Sequence, residues 1–342
     1  MLSLSTVEAK SSHIIHLALN TLASDIHFHP VGPMTKIYFR IHGDRQFYQN
    51  ISNEEYNLLL AYYKFTSGMD LGDTRRPQNG MLTYVINDLK YALRLSTLPL
   101  HEGESLAIRI LPLEEKLQLD QLLLFPSQIT ALKSWLDYRA GLILLTGPTG
   151  SGKSTTLYAL LEELYLEHSY QVITLEDPIE KKLNHVLQVQ LNPQAGITYQ
   201  TGLKAALRHD PDILMVGEIR DKQTAHIAIE AALTGHLVFS TLHAKNAIGT
   251  IYRLLEMGID QIDLQQCLLA VAAIELLPIE VNQTILRRAA ILDLLVGDSL
   301  EKIMKGGEID ELNPNHSFEH LRKKAFAYGF ISKQTYERTT FT

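Results

Sequence analysis

Cysteine is nearly absent: Cys267 is the one cysteine in 342 residues. That count excludes an internal disulfide framework and any multi-cysteine zinc site, and no zinc is expected. Long apolar runs are missing as well. The longest, Cys267 to Leu277, is too short to span a bilayer and is interrupted by Glu275, so no integral membrane segment is predicted. Met1 to Leu19 lacks a basic start followed by a continuous apolar stretch, so no secretory leader is expected. There is no basic excess either. Lys and Arg number 31 against 38 Asp and Glu, a formal net charge of −7, and the cations are scattered. No electrostatic footprint for nucleic acid results, and direct nucleic-acid binding is not expected. Cys267 lies in a Leu/Ala-rich stretch read as helical and is expected to be a small core residue, consistent with a reducing cytosol.

What is present centres on GLILLTGPTGSGKSTTLYALL, residues 141–161. The apolar run Leu142 to Leu145 predicts a buried strand, and Leu157, Leu160, Leu161 and Leu164 predict an amphipathic helix. Between them lies the G-x-x-x-x-G-K-[ST] phosphate loop, in the strand-then-helix context that gives the motif its meaning. Gly147, Pro148, Thr149, Gly150, Ser151 and Gly152 form the turn. Backbone N–H groups facing inward, together with a helix N-terminus, make a concave anion site. Lys153 is placed to reach the β- and γ-phosphates, the Ser154 hydroxyl to ligate Mg²⁺, and Thr155 to support the first helical turn. A nucleoside triphosphate, ATP with Mg²⁺, is the expected ligand.

Around this loop the chain divides. Amphipathic spacing predicts a helix over residues 2–22, and Ser52 caps a second over 52–63. Strands are predicted at 25–30, 36–41, 81–86, 90–97 and 105–110, with a turn at His42-Gly43-Asp44. His27 and His29 have H-x-H spacing but no third ligand nearby, and read as a solvated strand face. Residues 1–112 thus form a small α/β domain and 113–118 a linker, where Pro112 ends the last strand. From residue 119 to 342 strands alternate with helices, the pattern of a parallel sheet and a nucleotide-binding core of the RecA-like sort. Strands are predicted at 142–145, 172–175, 213–216 and 237–241. Helices are predicted near 127–138, 154–167, 201–207, 222–233, 247–256 and 263–273, with a further helical stretch at 317–327.

Three polar clusters are placed at predicted strand ends, where open α/β sheets bind ligands. The first is Thr174-Leu-Glu176-Asp177-Pro-Ile-Glu180. The second ends the run Ile213 to Val216 with Gly217-Glu218-Ile-Arg220. A carboxylate there can orient an attacking water or hold Mg²⁺ through water, making Glu218 both a catalytic and a metal candidate. The third is Thr234-Gly-His236, with the strand after it ending at Ser240-Thr241-Leu242-His243; a histidine there can sense the γ-phosphate or position water.

With these residues in place the sequence resembles the secretion-ATPase superfamily that powers type II secretion, type IV pili and DNA-uptake pseudopili. GPTGSGKS is similar to the family's Walker A, ITLEDPIE to its aspartate box, LKAALRHDPDILMVGEIRD to its Walker B and TGHLVFSTLHA to its histidine box. ASDIHFHP, RRPQNG, LRLSTLP and EGESLAIRIL resemble its PAS-like N-terminal domain. The resemblance implies Glu218 as catalytic carboxylate, Glu176 as an accessory acid, and His243 with His236 as the histidine-box residues. It also implies Arg94 and Arg109 as guanidinium donors to a γ-phosphate, a task suited to a planar, always-charged fork. It further implies a homohexameric ring with nucleotide between the two domains, an inner-membrane platform protein as partner, pilins as indirect partners, and peripheral attachment to the cytoplasmic face of the membrane.

The departures narrow the choice. Lys204 stands where many relatives have arginine, ahead of Arg208, replacing a bidentate fork with a point charge. The tetracysteine element and the C-terminal signature of retraction motors do not occur in the sequence, and the extended N-terminal domains of those relatives are not expected. LHAKNAIGTIYRLLEMGID is more similar to the assembly branch. A short competence-pseudopilus motor is the expectation. The alternatives are a nucleotide-dependent regulatory scaffold with little hydrolysis, and a type II secretion or retraction ATPase.

Overall fold

Period-two patterning early in the chain and continuous apolar strands later give two separate sheets. The computed structural model describes residues 4–87, 89–112, 118–167, 170–281, 284–307 and 317–340. It forms two compact units, Met1–Glu115 and Lys116–Thr342. Of the expected linker at 113–118, residues 113–117 lie outside the described residues.

The first unit runs α1 (Leu4–Asn20), β1 (Ala23–Val31), β2 (Met34–Ile41), β3 (Asp44–Ser52), α2 (Asn53–Thr66), β4 (Gln78–Ile86), β5 (Leu89–Pro99) and β6 (Glu104–Pro112). Its six strands are antiparallel in the order β3-β2-β1-β6-β5-β4. The β2–β3 hairpin turns at His42 and Gly43, both with positive φ (51° and 96°), the primed-turn geometry whose twist matches the flanking strands. Strand β3, with the half-exposed sequence DRQFYQNIS, is an addition to the expected elements. Ile14, Ile15 and Ala18 of α1 and Tyr56, Leu59 and Tyr63 of α2 pack on Ile26, Phe28, Leu93 and Ile108 of the sheet. The Ser52 hydroxyl accepts from the Glu55 N–H at 3.2 Å, capping α2 as expected, a contact worth about 1 kcal/mol.

The ion pair Lys64–Glu104 is buried in this unit. Lys64 Nζ is 2.7 Å from Glu104 Oε2, each side chain 2% exposed, and also donates to the Asp73 carbonyl at 3.0 Å. It fastens the end of α2 to the start of β6. Removing one partner strands a buried charge, so Lys64→Ala is expected to cost about 3–5 kcal/mol in urea unfolding. Lys64→Met with Glu104→Leu should recover most of that loss. A single variant as stable as the parent would show that the pair is solvated in solution.

The second unit runs α3 (Leu119–Leu122), α4 (Pro126–Ser134), β7 (Gly141–Thr146), α5 (Lys153–Glu167), β8 (Val172–Glu176), β9 (Leu187–Gln190), α6 (Tyr199–Ala206), β10 (Ile213–Glu218), α7 (Lys222–Leu233), β11 (Leu237–Leu242), α8 (Ala247–Glu256), α9 (Gln261–Cys267), β12 (Leu268–Val281), β13 (Thr284–Val296), α10 (Gly297–Met304), α11 (Phe318–Ala327) and α12 (Lys333–Thr340). The sheet order is β13-β12-β7-β11-β10-β8-β9, parallel throughout except for the β12–β13 pair. Strand β7 is buried along its whole length. Its side chains alternate between two apolar clusters, Leu142 and Leu144 on one face, Ile143 and Leu145 on the other. Each such leucine contributes about 1.5–3 kcal/mol by leaving water.

The helix expected over 263–273 is corrected. It ends at Cys267, and Leu268 onward is strand, inserted between β7 and β13. Cys267 is buried, and burial pushes its thiol up to about 12, so it is an inert core residue. The outer edge of β13 is covered at Ala290 and Leu292 by side-chain and backbone partners. The Gln128 amide donates to the Leu292 carbonyl at 2.6 Å and accepts from the Leu292 N–H at 3.1 Å, and the Leu124 N–H donates to the Ala290 carbonyl at 2.9 Å.

Candidate functional site

Parallel pairing brings the carboxyl ends of β7, β8, β10 and β11 to one edge of the sheet. Leu145 pairs with Thr241, and Val216 pairs with both Ser240 and Leu175. At the end of β7 the chain turns through Gly147 to Gly152 and enters α5 at Lys153. Gly147 has φ 144°, and a Cβ there would meet Ser151 Oγ at 2.7 Å and the Ile274 carbonyl at 2.8 Å. Gly152 has φ 97°, a backbone state that side chains disfavour. Lys153 Nζ turns back over this loop, donating to the carbonyls of Gly147 (2.8 Å) and Pro148 (3.0 Å). Burial lowers the affinity of its ammonium for its proton, opposed by the carboxylates of Glu218 and Glu180. The buried Ser151 hydroxyl has no hydrogen-bond partner among the described residues. Pro148, Thr149 and Gly150 are exposed at the turn, and Ser154 and Thr155 are half-buried on the first turn of α5.

Glu218 reaches the same edge by a specific distortion. The β10–β11 register shifts between Val216 and Glu218, a bulge at Gly217 that re-aims the following side chain. A Cβ on Gly217 would lie 3.0 Å from the Leu175 carbonyl, so only glycine fits the bulge without displacement. Ser240 and Thr241 hydroxyls hold it by donating to the carbonyls of Val216 (2.5 Å) and Gly217 (2.8 Å). The Glu218 carboxylate is then gripped from both sides. His243 Nε2 is 2.9 Å from Oε1, and Arg220 Nη2 is 2.9 Å from Oε2. Arg220 also reaches Asp177 Oδ2 at 3.6 Å. Three strand ends therefore supply one cluster of alternating charge.

Glu176 is next to Asp177 in sequence yet lies inside the protein, 2% exposed. Thr174 Oγ1 (2.6 Å) and Gln188 Nε2 (3.0 Å) donate to Oε1, and the Tyr158 hydroxyl donates to Oε2. Burial, then the Glu176 charge, push the Tyr158 phenol well above its ordinary value, so it stays a donor. Glu176 thus braces α5 against β8 and β9.

His236 is placed apart. It precedes β11, at the amino end of the sheet, where its carbonyl accepts from the Gly141 N–H at 3.0 Å and its Nδ1 is 3.2 Å from the Ala231 carbonyl. The length of β11 puts it about 20 Å along the strands from the loop, given about 3.3 Å per residue. The expectation that Thr234-Gly-His236 lies at a carboxyl end is therefore corrected: it closes the turn from α7 into β11. Lys204 and Arg208 are exposed, on α6 and just after it. In the first unit, Arg94 and Arg109 are directly paired across β5 and β6, on the sheet face away from the helices. Arg109 Nε donates to Asp25 Oδ1 at 2.9 Å.

Arg220 and Asp177 stand out in the sequence only as members of their clusters, and two tyrosines do not stand out at all: Tyr158, and Tyr199, whose hydroxyl accepts from the Glu218 N–H at 3.4 Å. The charge alternation of Glu218 with Arg220 two residues later was the available signal. Tyr158 gives none, because it follows Leu157 on an apolar helix face.

The residues fit a triphosphate with Mg²⁺. The loop's own carbonyls occupy Lys153, whose ammonium is free to exchange them for phosphate oxygens, and Ser154 and Glu218 offer the hard oxygen ligands that Mg²⁺ prefers.

Comparison with known proteins gives the family. Residues 2–295 match the profile of the type II/IV secretion system protein family. The chain is 40% identical to competence protein ComGA of Bacillus subtilis (strain 168), over 98% of both chains. It is 42% identical to type II secretion system protein E of Aeromonas hydrophila, over 75% of this chain but 51% of that longer one. Among solved structures, the pilus retraction motor PilT with bound ADP is similar at TM-score 0.72 and 27% identity, covering 95% of each chain. The Legionella pneumophila ATPase DotB shares the fold at TM-score 0.78 and 23% identity, covering 97% of this chain and 95% of that one.

Proposed function

Since the chain belongs to the type II/IV secretion system protein family and is an ATPase, we propose that it is the motor for assembling a competence (DNA-uptake) pseudopilus. The observation that carries this reading is end-to-end similarity to competence protein ComGA, 98% of both chains, where the match to type II secretion protein E spans about half of that protein. The proposal takes residues 1–112 as a PAS-like domain, 113–118 as a linker, and 119–342 as a RecA-like ATPase domain with a helical C-terminal region. The working form is a homohexamer, peripheral at the cytoplasmic face of the membrane, acting on an inner-membrane platform protein and through it on pilins. No helix among the described residues is long and apolar enough to cross a membrane.

In this reading the loop Gly147–Ser154 binds the phosphates of ATP, with Thr155 supporting it. Lys153 neutralises charge on the β- and γ-phosphates, and Ser154 and Glu218 hold Mg²⁺, which when bound neutralises charge on the phosphate oxygens. Glu218 also orients water for in-line attack, held at a fixed angle by Arg220 and His243. Tyr158 and Glu176 keep α5, and so Lys153, in register with β8. Arg94 and Arg109 are assigned to the γ-phosphate on the family resemblance alone.

The test is complementation. In a Bacillus subtilis strain lacking competence protein ComGA, this chain is expected to restore transformation. Failure by a protein that is folded and hydrolyses ATP would move the assignment to a secretion or retraction machine.

A further inference from the structure

The sequence showed Glu275 only as the charge that interrupts the longest apolar run. The fold gives it a position. Strand β12 pairs with β7 up to Ala273 opposite Thr146 and then continues alongside the phosphate loop. Its Ile274 carbonyl occupies the space a side chain on Gly147 would need, at 2.8 Å, and the Leu276 side chain lies 3.6 Å from where a Cβ on Gly152 would stand. Residues 274 and 276 are therefore the seat of the loop. Between them, Glu275 faces the opposite side of the sheet, where Leu277 of β12 packs with Leu321 and Ala325 of α11. There Arg322 Nε lies 3.2 Å from Glu275 Oε1, with the two side chains 16% and 24% exposed.

We infer that Arg322 is a positioning residue for nucleotide binding, acting through Glu275 to hold the Ile274–Leu276 seat against the phosphate loop. A second acid of β12, Glu280, is gripped by the same C-terminal segment: Ser332 and Thr335 hydroxyls donate to its Oε1 at 2.9 and 2.6 Å. The C-terminal helices thus clasp β12 from behind at two points, and the nearer one abuts the seat. Without Arg322 the carboxylate of Glu275, whose proton affinity burial already raises, keeps its desolvation cost and loses the opposing cation. Its relief is to move toward solvent, which displaces residues 274 and 276. Loop geometry, and with it triphosphate affinity, then changes at a distance from any residue that touches phosphate.

This inference rests on the reading of residues 147–154 as the triphosphate cradle, and the experiment separates the two. Binding of a fluorescent ATP analogue is titrated against the full chain and its Lys153→Ala, Arg322→Ala, Arg322→Lys and Leu321→Ala variants and the double variant Arg322→Ala with Glu275→Gln, with melting temperatures recorded alongside. Arg322→Ala is expected to weaken binding on the order of tenfold, with partial rescue in Arg322→Lys, whereas adding Glu275→Gln to Arg322→Ala, which removes the charge that would move toward solvent, should recover most of the affinity. Leu321→Ala, which loosens the same helix without touching Glu275, should lower the melting temperature and leave affinity near that of the parent. Unchanged affinity in a folded Arg322→Ala, or no recovery in the double variant, overturns the inference while Lys153→Ala still loses binding. Equal weakening by Leu321→Ala also overturns it, since general loosening would then suffice. Parent-like binding by Lys153→Ala instead removes the cradle itself.

Discussion

Lys153→Ala is expected to abolish ATP turnover, with a fall of at least about 10²–10³-fold in phosphate release, the size seen when one preorganised charge donor is removed. Two effects combine. The ammonium that would meet the phosphates is gone, and the loop loses the donor that bridges the Gly147 and Pro148 carbonyls. The fold should survive, because Leu157, Leu160, Leu161 and Leu164 still anchor α5 in the apolar cluster. Steady-state phosphate release alongside thermal melting checks both halves. Turnover retained by the alanine variant would mean that triphosphate is held elsewhere.

Glu218→Gln is expected to separate binding from hydrolysis. The amide preserves the shape and some hydrogen bonding to His243 and Arg220, so nucleotide affinity should stay within a few-fold of the parent. It lacks the negative charge needed to polarise water, so single-turnover hydrolysis should fall by about 10²–10⁴-fold. The Arg220 pair is largely exposed and screened, so stability should change by no more than about 1 kcal/mol. Hydrolysis at the parent rate would remove Glu218 from the reaction. Loss of affinity as well would make its principal task holding Mg²⁺.

Most of the second sheet was legible because its strands carry their own boundaries. LILL-type runs ending in glycine or acid gave β7, β8 and β10, and β11 followed the same pattern. Strand β12 was not legible. LLAVAAIELLPIEV has neither period two nor flanking turn residues at its start, and its alanines favour helix when taken alone. Burial between two neighbouring strands overrides that preference. Strand β9 is four residues long, too short to show a period. At the site, Lys153 and Glu218 are legible because glycines flank them where the backbone must bend. The burial of Glu176 is not, since its donors come from Tyr158, Thr174 and Gln188, two of them distant in sequence. The misplacement of His236 has a simple cause: a polar residue beside a strand reads the same at either end, and only the parallel register tells them apart.

The covered edge of β13 bears on how copies of this chain can meet. One flank of the second sheet is plugged by the Gln128 amide and Leu124, and the other ends in the four-residue β9, followed within three residues by Pro193. The covered stretch of β13 and the short β9 leave little ladder in this sheet for a neighbour's strand to extend. A neighbour that meets these flanks joins through side-chain surfaces, which can separate and re-form without unzipping backbone bonds. A contact of that kind suits parts that move against each other repeatedly.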